Sequence, residues 1–191
     1  MAKILLQRLQ ETFGDAIVEC GSCQGDEWAR VPRDRWHEIA KFLHDDARCQ
    51  CDYFVDLSAV DDPERPSADG GRFEVYLIVY SITKKHRIRL KTRLTDESPK
   101  VATLSDVWKG ANWAERECWD MFGVEFQGHP DLRRILMYEE FEGHPLRKDY
   151  PANRTQPLMP YREGTHDKLG PFFQDEGMPL NRSPREDERP S

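Results

Sequence analysis

The chain has 191 residues, of which 38% are hydrophobic and 33% charged, and its formal net charge is -7. This length allows one domain with extensions, and the negative charge argues against nucleic-acid binding, which depends on Lys and Arg placed against phosphates. No run approaches the roughly 20 apolar residues that span a bilayer, and the first residues lack a signal-peptide pattern. An odd five cysteines do not make a secreted disulfide framework. These features predict a cytosolic chain, which could still sit on a membrane complex through other subunits.

The first half of the chain has the hydrophobic patterns of helices and strands. They predict helices at 3–13 and 34–44 and strands at 16–18, 28–31 and 53–57. Residues 73–82, β-branched and aromatic throughout, predict a strand that is buried on both faces. Residues 88–94 alternate between apolar and basic side chains, which predicts a half-exposed antiparallel partner after a turn at 83–85. The expected fold class is α+β, with helices packed on a mainly antiparallel sheet.

The second half begins with a short predicted helix. Asn112 and Glu115 have the spacing of a capping box, and Gly123 supplies the turn that ends the helix. Arg116 and Asp120 are spaced as an i,i+4 ion pair on its surface. Beyond residue 128, Gly and Pro recur too often for long helices, so an extended, irregular segment is expected to run over the surface.

Two Gly-His-Pro steps, at 128–130 and 143–145, mark this irregular segment, and a basic pair follows each of them. The two histidines could bind a metal or carry protons. Each precedes Pro, however, which favours an extended backbone, and neither has a Cys or carboxylate at ligand spacing. We therefore favour two matched turns that direct the pairs Arg133-Arg134 and Arg147-Lys148 towards a partner.

Catalytic and metal-binding patterns are weak elsewhere. Residues 112–154 hold nine acidic and six basic side chains, a mixture that fits a protein interface better than an anion clamp. Glu115 and Glu117 are two apart on a helix and do not face each other as an acid–base pair would. A small metalloprotein remains an alternative hypothesis, because thiolates are available for zinc or an iron–sulfur cluster at Cys20, Cys23, Cys49 and Cys51.

Several blocks of sequence carry a family resemblance: Ala111-Asn112-Trp113, Glu115-Arg116-Glu117, Asp120-Met121-Phe122-Gly123, and residues 128–136 and 143–151. In this order they resemble the signature of the C subunit family of NADH-quinone oxidoreductase, the thirty-kilodalton subunit of respiratory complex I. A weaker resemblance extends upstream through residues 72–76.

The resemblance implies a non-catalytic assembly subunit in the hydrophilic arm of the complex, on the cytoplasmic face of the bacterial inner membrane. It implies no cofactor in this chain, with flavin and iron–sulfur clusters in partner subunits. The implied partners are chiefly the D subunit, of forty-nine kilodaltons, and neighbouring iron–sulfur subunits. The residues expected at the interface, as turn-fixing and ion-pairing groups, are Glu115, Arg116, Glu117, Asp120, His129, Asp131, Arg133, Arg134, His144, Arg147, Lys148, Asp149 and Tyr150.

Three regions are expected on this basis. Residues 1–104 would form the α+β domain, 105–154 the docking segment, and 155–191 a tail that orders on a neighbour. An equivalent subunit of a related respiratory or hydrogenase complex, with another electron donor, is the alternative to an NADH-linked one.

Overall fold

The computed structural model describes residues 3–65, 71–95 and 99–157, and those up to Gln156 form one compact unit. The expected tail from residue 158 onward lies outside the described residues, and the division at 104 and 154 stays a prediction. The helices are α1 (Lys3–Phe13), α2 (Trp36–Asp45) and α3 (Ala111–Phe122). The strands are β1 (Glu19–Cys23), β2 (Asp26–Arg30), β3 (Tyr53–Asp61), β4 (Phe73–Ser81), β5 (His86–Leu94), β6 (Lys100–Ala102) and β7 (Glu125–Gln127).

The main sheet has the strand order β1-β2-β5-β4-β3. Its neighbours pair antiparallel except β2 and β5, which are parallel. A tight turn at 82–85 joins β4 to β5 as a hairpin, and a β-bulge between Phe54 and Asp56 shifts the register of β3. The predicted α+β class with a mainly antiparallel sheet is confirmed.

One face of the sheet packs on the hydrophobic core. Phe73, Val75, Leu77 and Val79 of β4 are buried, whereas the residues between them are only partly covered. The prediction that residues 73–82 are buried on both faces is therefore wrong, because the described elements cover a single face. The helices contribute fully buried side chains such as Leu9 of α1, each of which stabilises the fold by about 1.5–3 kcal/mol.

Some strands differ from the sequence prediction. The first strand begins at Glu19 instead of residue 16, because residues 14–16 form a 3-10 turn after α1. The two three-residue strands β6 and β7 were not predicted, since three residues are too few to show an alternating pattern. They pair parallel with each other, and an ion pair of 2.7 Å joins Lys100 to Glu125. None of the described helices is long and apolar enough to cross a membrane.

Candidate functional site

Helix α3 packs against β3 and buries three charged side chains: Glu115, Arg116 and Asp120. Burying a charge is costly unless hydrogen bonds or an opposite charge compensate for it. These three groups find their partners in the two loops that flank the helix. The buried charges of α3 therefore hold both loops against the helix.

Asp120 receives donors from the chain that follows the first Gly-His-Pro step. Arg134 lies 2.5 Å from one carboxylate oxygen, and the backbone N–H groups of Ile135, Leu136 and Met137 donate to the other at 2.9–3.1 Å. Burial alone would raise the pKa of Asp120, but these donors together hold it below its usual value. Asp120 is therefore an ionised anchor for residues 134–137.

Arg116 does not pair with Asp120, so the predicted i,i+4 ion pair is wrong. Its guanidinium donates instead to the backbone carbonyls of Arg133 at 3.2 Å and Arg134 at 3.4 Å, and it lies 5.0 Å from the ring of Trp113. Asp120 is instead bonded to Arg134 and to the backbone N–H groups of residues 135–137. The side chain of Arg116 thus holds the same loop by the backbone carbonyls of that loop.

The predicted capping box at Asn112 is also wrong. The helix begins at Ala111 with Gly110 as its N-cap and no side-chain cap. Glu115 turns inward, where the hydroxyl of Thr103 donates to it at 2.5 Å and the N–H of Leu104 at 2.6 Å. Because the carboxyl is fully buried, its pKa is raised to about 7 despite these two hydrogen bonds.

His129, from the first Gly-His-Pro step, binds near the start of α3. The N–H of Asp131 donates to Nδ1 at 3.0 Å, so the ring proton is on Nε2, which donates to the carbonyl of Asn112 at 3.2 Å. Nε2 also lies 4.0 Å from the carboxylate of Glu115. The turn at Gly128 has a positive φ of 84°, as a Gly-based turn requires.

His144, from the second step, binds at the other end of α3. Its Nδ1 donates to the carbonyl of Asp120 at 2.9 Å, the N–H of Leu146 donates to Met121 at 3.1 Å, and Arg147 Nε donates to Phe122 at 2.6 Å. Three terminal carbonyls are thereby satisfied, with a cation at the negative end of the helix dipole. Burial is the main cause that lowers the pKa of His144.

Arg72 ties the end of the docking segment to the sheet. Its guanidinium binds Asp61, at the end of β3, at 2.5 and 2.7 Å, and Asp149 at 2.8 Å. The N–H of Lys148 donates to the same Asp61 carboxylate at 2.7 Å. Burial raises the pKa of Asp61, but the hydrogen bonds from Arg72 and Lys148 outweigh this effect and leave the pKa below its usual value. Arg72 also lowers the pKa of Asp149.

Tyr150 packs against side chains near the end of the described chain. Its ring stacks on Phe141 with centroids 6.1 Å apart, and Arg154 lies 5.8 Å from the same ring. Gln156 contacts the Tyr150 hydroxyl and donates to the carbonyl of Glu142 at 3.2 Å. The irregular chain up to residue 156 is therefore held by its own side chains.

The expected interface residues separate into two groups. Glu115, Arg116, Asp120, His129, Arg134, His144, Arg147 and Tyr150 lie wholly or partly inside the unit, whereas Glu117, Asp131, Arg133, Lys148 and Asp149 are exposed. Exposed apolar side chains accompany the second group at Trp113, Leu136 and Leu146. Sequence reasoning missed Asp61, Arg72 and Thr103 as site residues, because their partners in the site lie 11 to 87 residues away.

The cysteines do not form a cluster in the part of the chain that the structure describes. Cys49 and Cys51 are buried and Cys23 is exposed, and no three potential ligand side chains come together there as a metal site. Burial raises the pKa of the Cys49 and Cys51 thiols to about 12. Thiols of this kind are poor metal ligands and poor nucleophiles.

Comparison with known proteins identifies the family. Residues 29–156 match the family described as the 30 Kd subunit of respiratory-chain NADH dehydrogenase. The chain belongs to this family. It is 42% identical over 165 residues to the NADH-quinone oxidoreductase C subunit 2 of Rhizobium etli, covering 86% of this chain and 80% of that one.

Other members extend the comparison. The chain is 41% identical over 145 residues to the fused C/D subunit of a Sulfurihydrogenibium NADH-quinone oxidoreductase, covering 76% of this chain and 24% of that one. The solved structure of a trypsin-resistant fragment of Nqo5 is 28% identical, with a TM-score of 0.57 over 67% of this chain and 99% of that one. The curated relatives are thus subunits of NADH-quinone oxidoreductases.

Proposed function

We propose that this chain is a non-catalytic assembly subunit in the hydrophilic arm of a proton-translocating NADH:quinone oxidoreductase, and that its docking segment contacts the D subunit. The fused C/D relative supports this partner, because one polypeptide keeps its two parts at high effective concentration. The chain's own role is to position its partner, and electron transfer belongs to the other subunits.

The distribution of charge in the docking segment carries the proposal. The buried charged groups of α3 are satisfied by side chains and backbone of the same unit, as is usual for a structural network. The side chains left at the surface include Trp113, which is 64% exposed, Arg133 and Leu136. Trp and Arg are the residue types that dominate interface hot spots.

The same proposal assigns cofactors and location. Flavin and iron–sulfur clusters belong to partner subunits, and this chain holds none. The chain lies at the cytoplasmic face of the bacterial inner membrane through its complex. The neighbouring iron–sulfur subunits are its further partners.

Photo-crosslinking from the docking segment tests the proposal. With p-benzoylphenylalanine in place of Trp113, irradiation of the purified complex should link this chain to the D subunit. The same label in place of Ile4, which is 53% exposed on α1, is the matched control. A link from position 113 to other subunits only, or no link, contradicts the proposed partner.

Enzymatic assay of the same preparation tests the electron donor. The complex purified through this chain should contain a flavoprotein subunit and oxidise NADH. A preparation that reduces quinone with another donor and not with NADH would assign the chain to a related complex instead.

A further inference from the structure

The outer face of the five-stranded sheet lacks a covering layer among the described residues. The outward side chains of β2, β4 and β5 are half-buried or exposed, and none of them is buried. An open face of an antiparallel sheet usually carries polar side chains. This one carries aromatic rings between cations. We call it the open sheet face, defined by Trp28, Tyr76, Tyr80, Arg87, Arg89 and Lys91.

Strand register brings these side chains into contact. Arg89 is paired with Trp28 on one side and with Ile78 on the other, and directly paired residues project from the same face. The guanidinium of Arg89 lies 5.8 Å from the ring of Tyr76, and Nζ of Lys91 lies 4.7 Å from the ring of Trp28. The centre of the face is therefore a cation among apolar groups.

The charges on this face are unevenly compensated. Asp26 lies 2.5 Å from Arg87, and Glu74 lies within 3.7 Å of Lys91 and 3.1 Å of Arg93. Arg89 contacts the Tyr76 ring but makes no ion pair with any described residue. Asp56 is paired with Ile78 and therefore projects from the same face. The face thus carries charges of both signs, and Arg89 is the cation there that no described carboxylate pairs with.

A cavity adjoins one end of the open sheet face. It has a volume of about 470 Å³, and its walls include Tyr53, Tyr80, Lys85 and Arg87. Tyr53 and Tyr80 are directly paired across β3 and β4, and Tyr53 is 53% exposed. A concave, aromatic site next to a flat surface is suited to an anchor side chain of a binding partner.

We propose that the open sheet face is a second docking surface, which binds an acidic segment of another protein chain. A carboxylate of that segment pairs with Arg89, whose planar fork binds carboxylates in a bidentate manner, and an apolar or aromatic side chain enters the cavity. Nucleic acid fits less well, because it is bound by several Lys and Arg side chains placed against phosphates, whereas Arg87, Lys91 and Arg93 already pair with carboxylates of this chain. This inference rests on the proposed function, since it assumes a multi-subunit complex.

Photo-crosslinking from the cavity tests this proposal in the intact complex. With p-benzoylphenylalanine in place of Tyr53, irradiation should link this chain to a peptide of negative net charge in a different subunit. Arg89→Glu should lower the crosslink yield by a factor of about 10 or more, because it places like charges together. Arg89→Lys should give an intermediate yield, because it keeps the positive charge but loses the planar fork. Arg48→Glu, at a side chain that is 70% exposed elsewhere, should leave it unchanged.

Several results would overturn the proposal: no crosslink from position 53, or a link to nucleic acid, to this chain's own residues, to a second copy, or to a peptide without negative net charge. An unchanged yield in Arg89→Glu would overturn it as well. A link from position 113 without one from position 53 refutes only this proposal, whereas no link from position 113 refutes the proposed function.

Discussion

The guanidinium of Arg134 lies 2.5 Å from the fully buried carboxylate of Asp120, whereas its neighbour Arg133 is 69% exposed. Two adjacent arginines thus have opposite roles, one in holding the docking segment together and the other at its surface. A test of the interface must change Arg133 and leave Arg134 intact, because the loss of Arg134 would disturb the fold itself.

Asp120→Asn should destabilise the chain strongly. It leaves the charge of Arg134 without its partner and turns the amide NH2, a donor, towards either the Arg134 guanidinium or the three backbone N–H groups, so a loss of about 3–5 kcal/mol in unfolding free energy is expected. Urea denaturation of the purified chain measures it. Glu117→Gln, at an exposed position of the same helix, is the control and should change stability little. Equal stability of Asp120→Asn and wild type would refute the anchoring role.

Glu115 should make stability depend on pH. Its folded pKa of about 7 lies above the ordinary value of 4.5, so the folded chain binds a proton more tightly than the unfolded chain. Proton binding by Glu115 thereby adds about 3 kcal/mol to the free energy of unfolding. This stabilisation is fully present below pH 4.5 and is lost as pH rises through 7. Glu115→Gln should flatten this part of the urea-denaturation profile between pH 4.5 and 8. An unchanged slope would show that Glu115 is not the group that titrates.

Gly123→Ala should weaken the end of α3. Gly123 has a φ of 76°, which costs an L-residue roughly 1–2 kcal/mol, and a Cβ there would collide with Arg147 and His144. A lower melting temperature is expected, by several degrees. Gly14→Ala is the matched control, because a Cβ at Gly14 meets no atom within 4 Å. Equal effects of the two substitutions would contradict the packed end of α3.

The cysteines should differ in reactivity towards a thiol reagent. Cys23 is exposed and should react in a fast first phase of the modification. Cys49, Cys51 and Cys118 are buried, and burial raises the pKa of their thiols. These three should react only as fast as the chain unfolds. Colour development with Ellman's reagent measures both phases. A smaller fast phase in Cys23→Ser, with the half-buried Cys20 as its remaining source, supports this assignment, and fast modification of Cys49 opposes it.

Local patterns in the sequence were enough to predict most of the fold. The alternation in residues 88–94 and the helical spacing of Leu5, Leu6 and Leu9 each depend on neighbours within one element. β5 and α1 were therefore predicted close to their observed bounds. The parallel pairing of β2 with β5 was not predictable in this way, because it joins segments about 60 residues apart.

The site was less predictable for the same reason. The Gly-His-Pro steps were expected to form turns, but their attachment to opposite ends of α3 depends on carbonyls 17 and 24 residues away. The spacing of Glu115 and Arg116 predicts local bonds to Asn112 and Asp120. In the structure both side chains bond instead to loops outside the helix. A charged residue on a short helix gives no sign of whether a distant loop will cover it.

The assembly of the complex tests the central claim most directly. Trp113→Ala combined with Arg133→Glu changes two side chains that are 64% and 69% exposed, so the chain should fold as before. Ile4→Ala combined with Arg48→Glu is the control at similarly exposed positions on another surface. The amount of assembled complex in membranes and its NADH:quinone turnover per complex are measured together. A scaffold role predicts much less complex with unchanged turnover, whereas normal assembly with reduced turnover would contradict it.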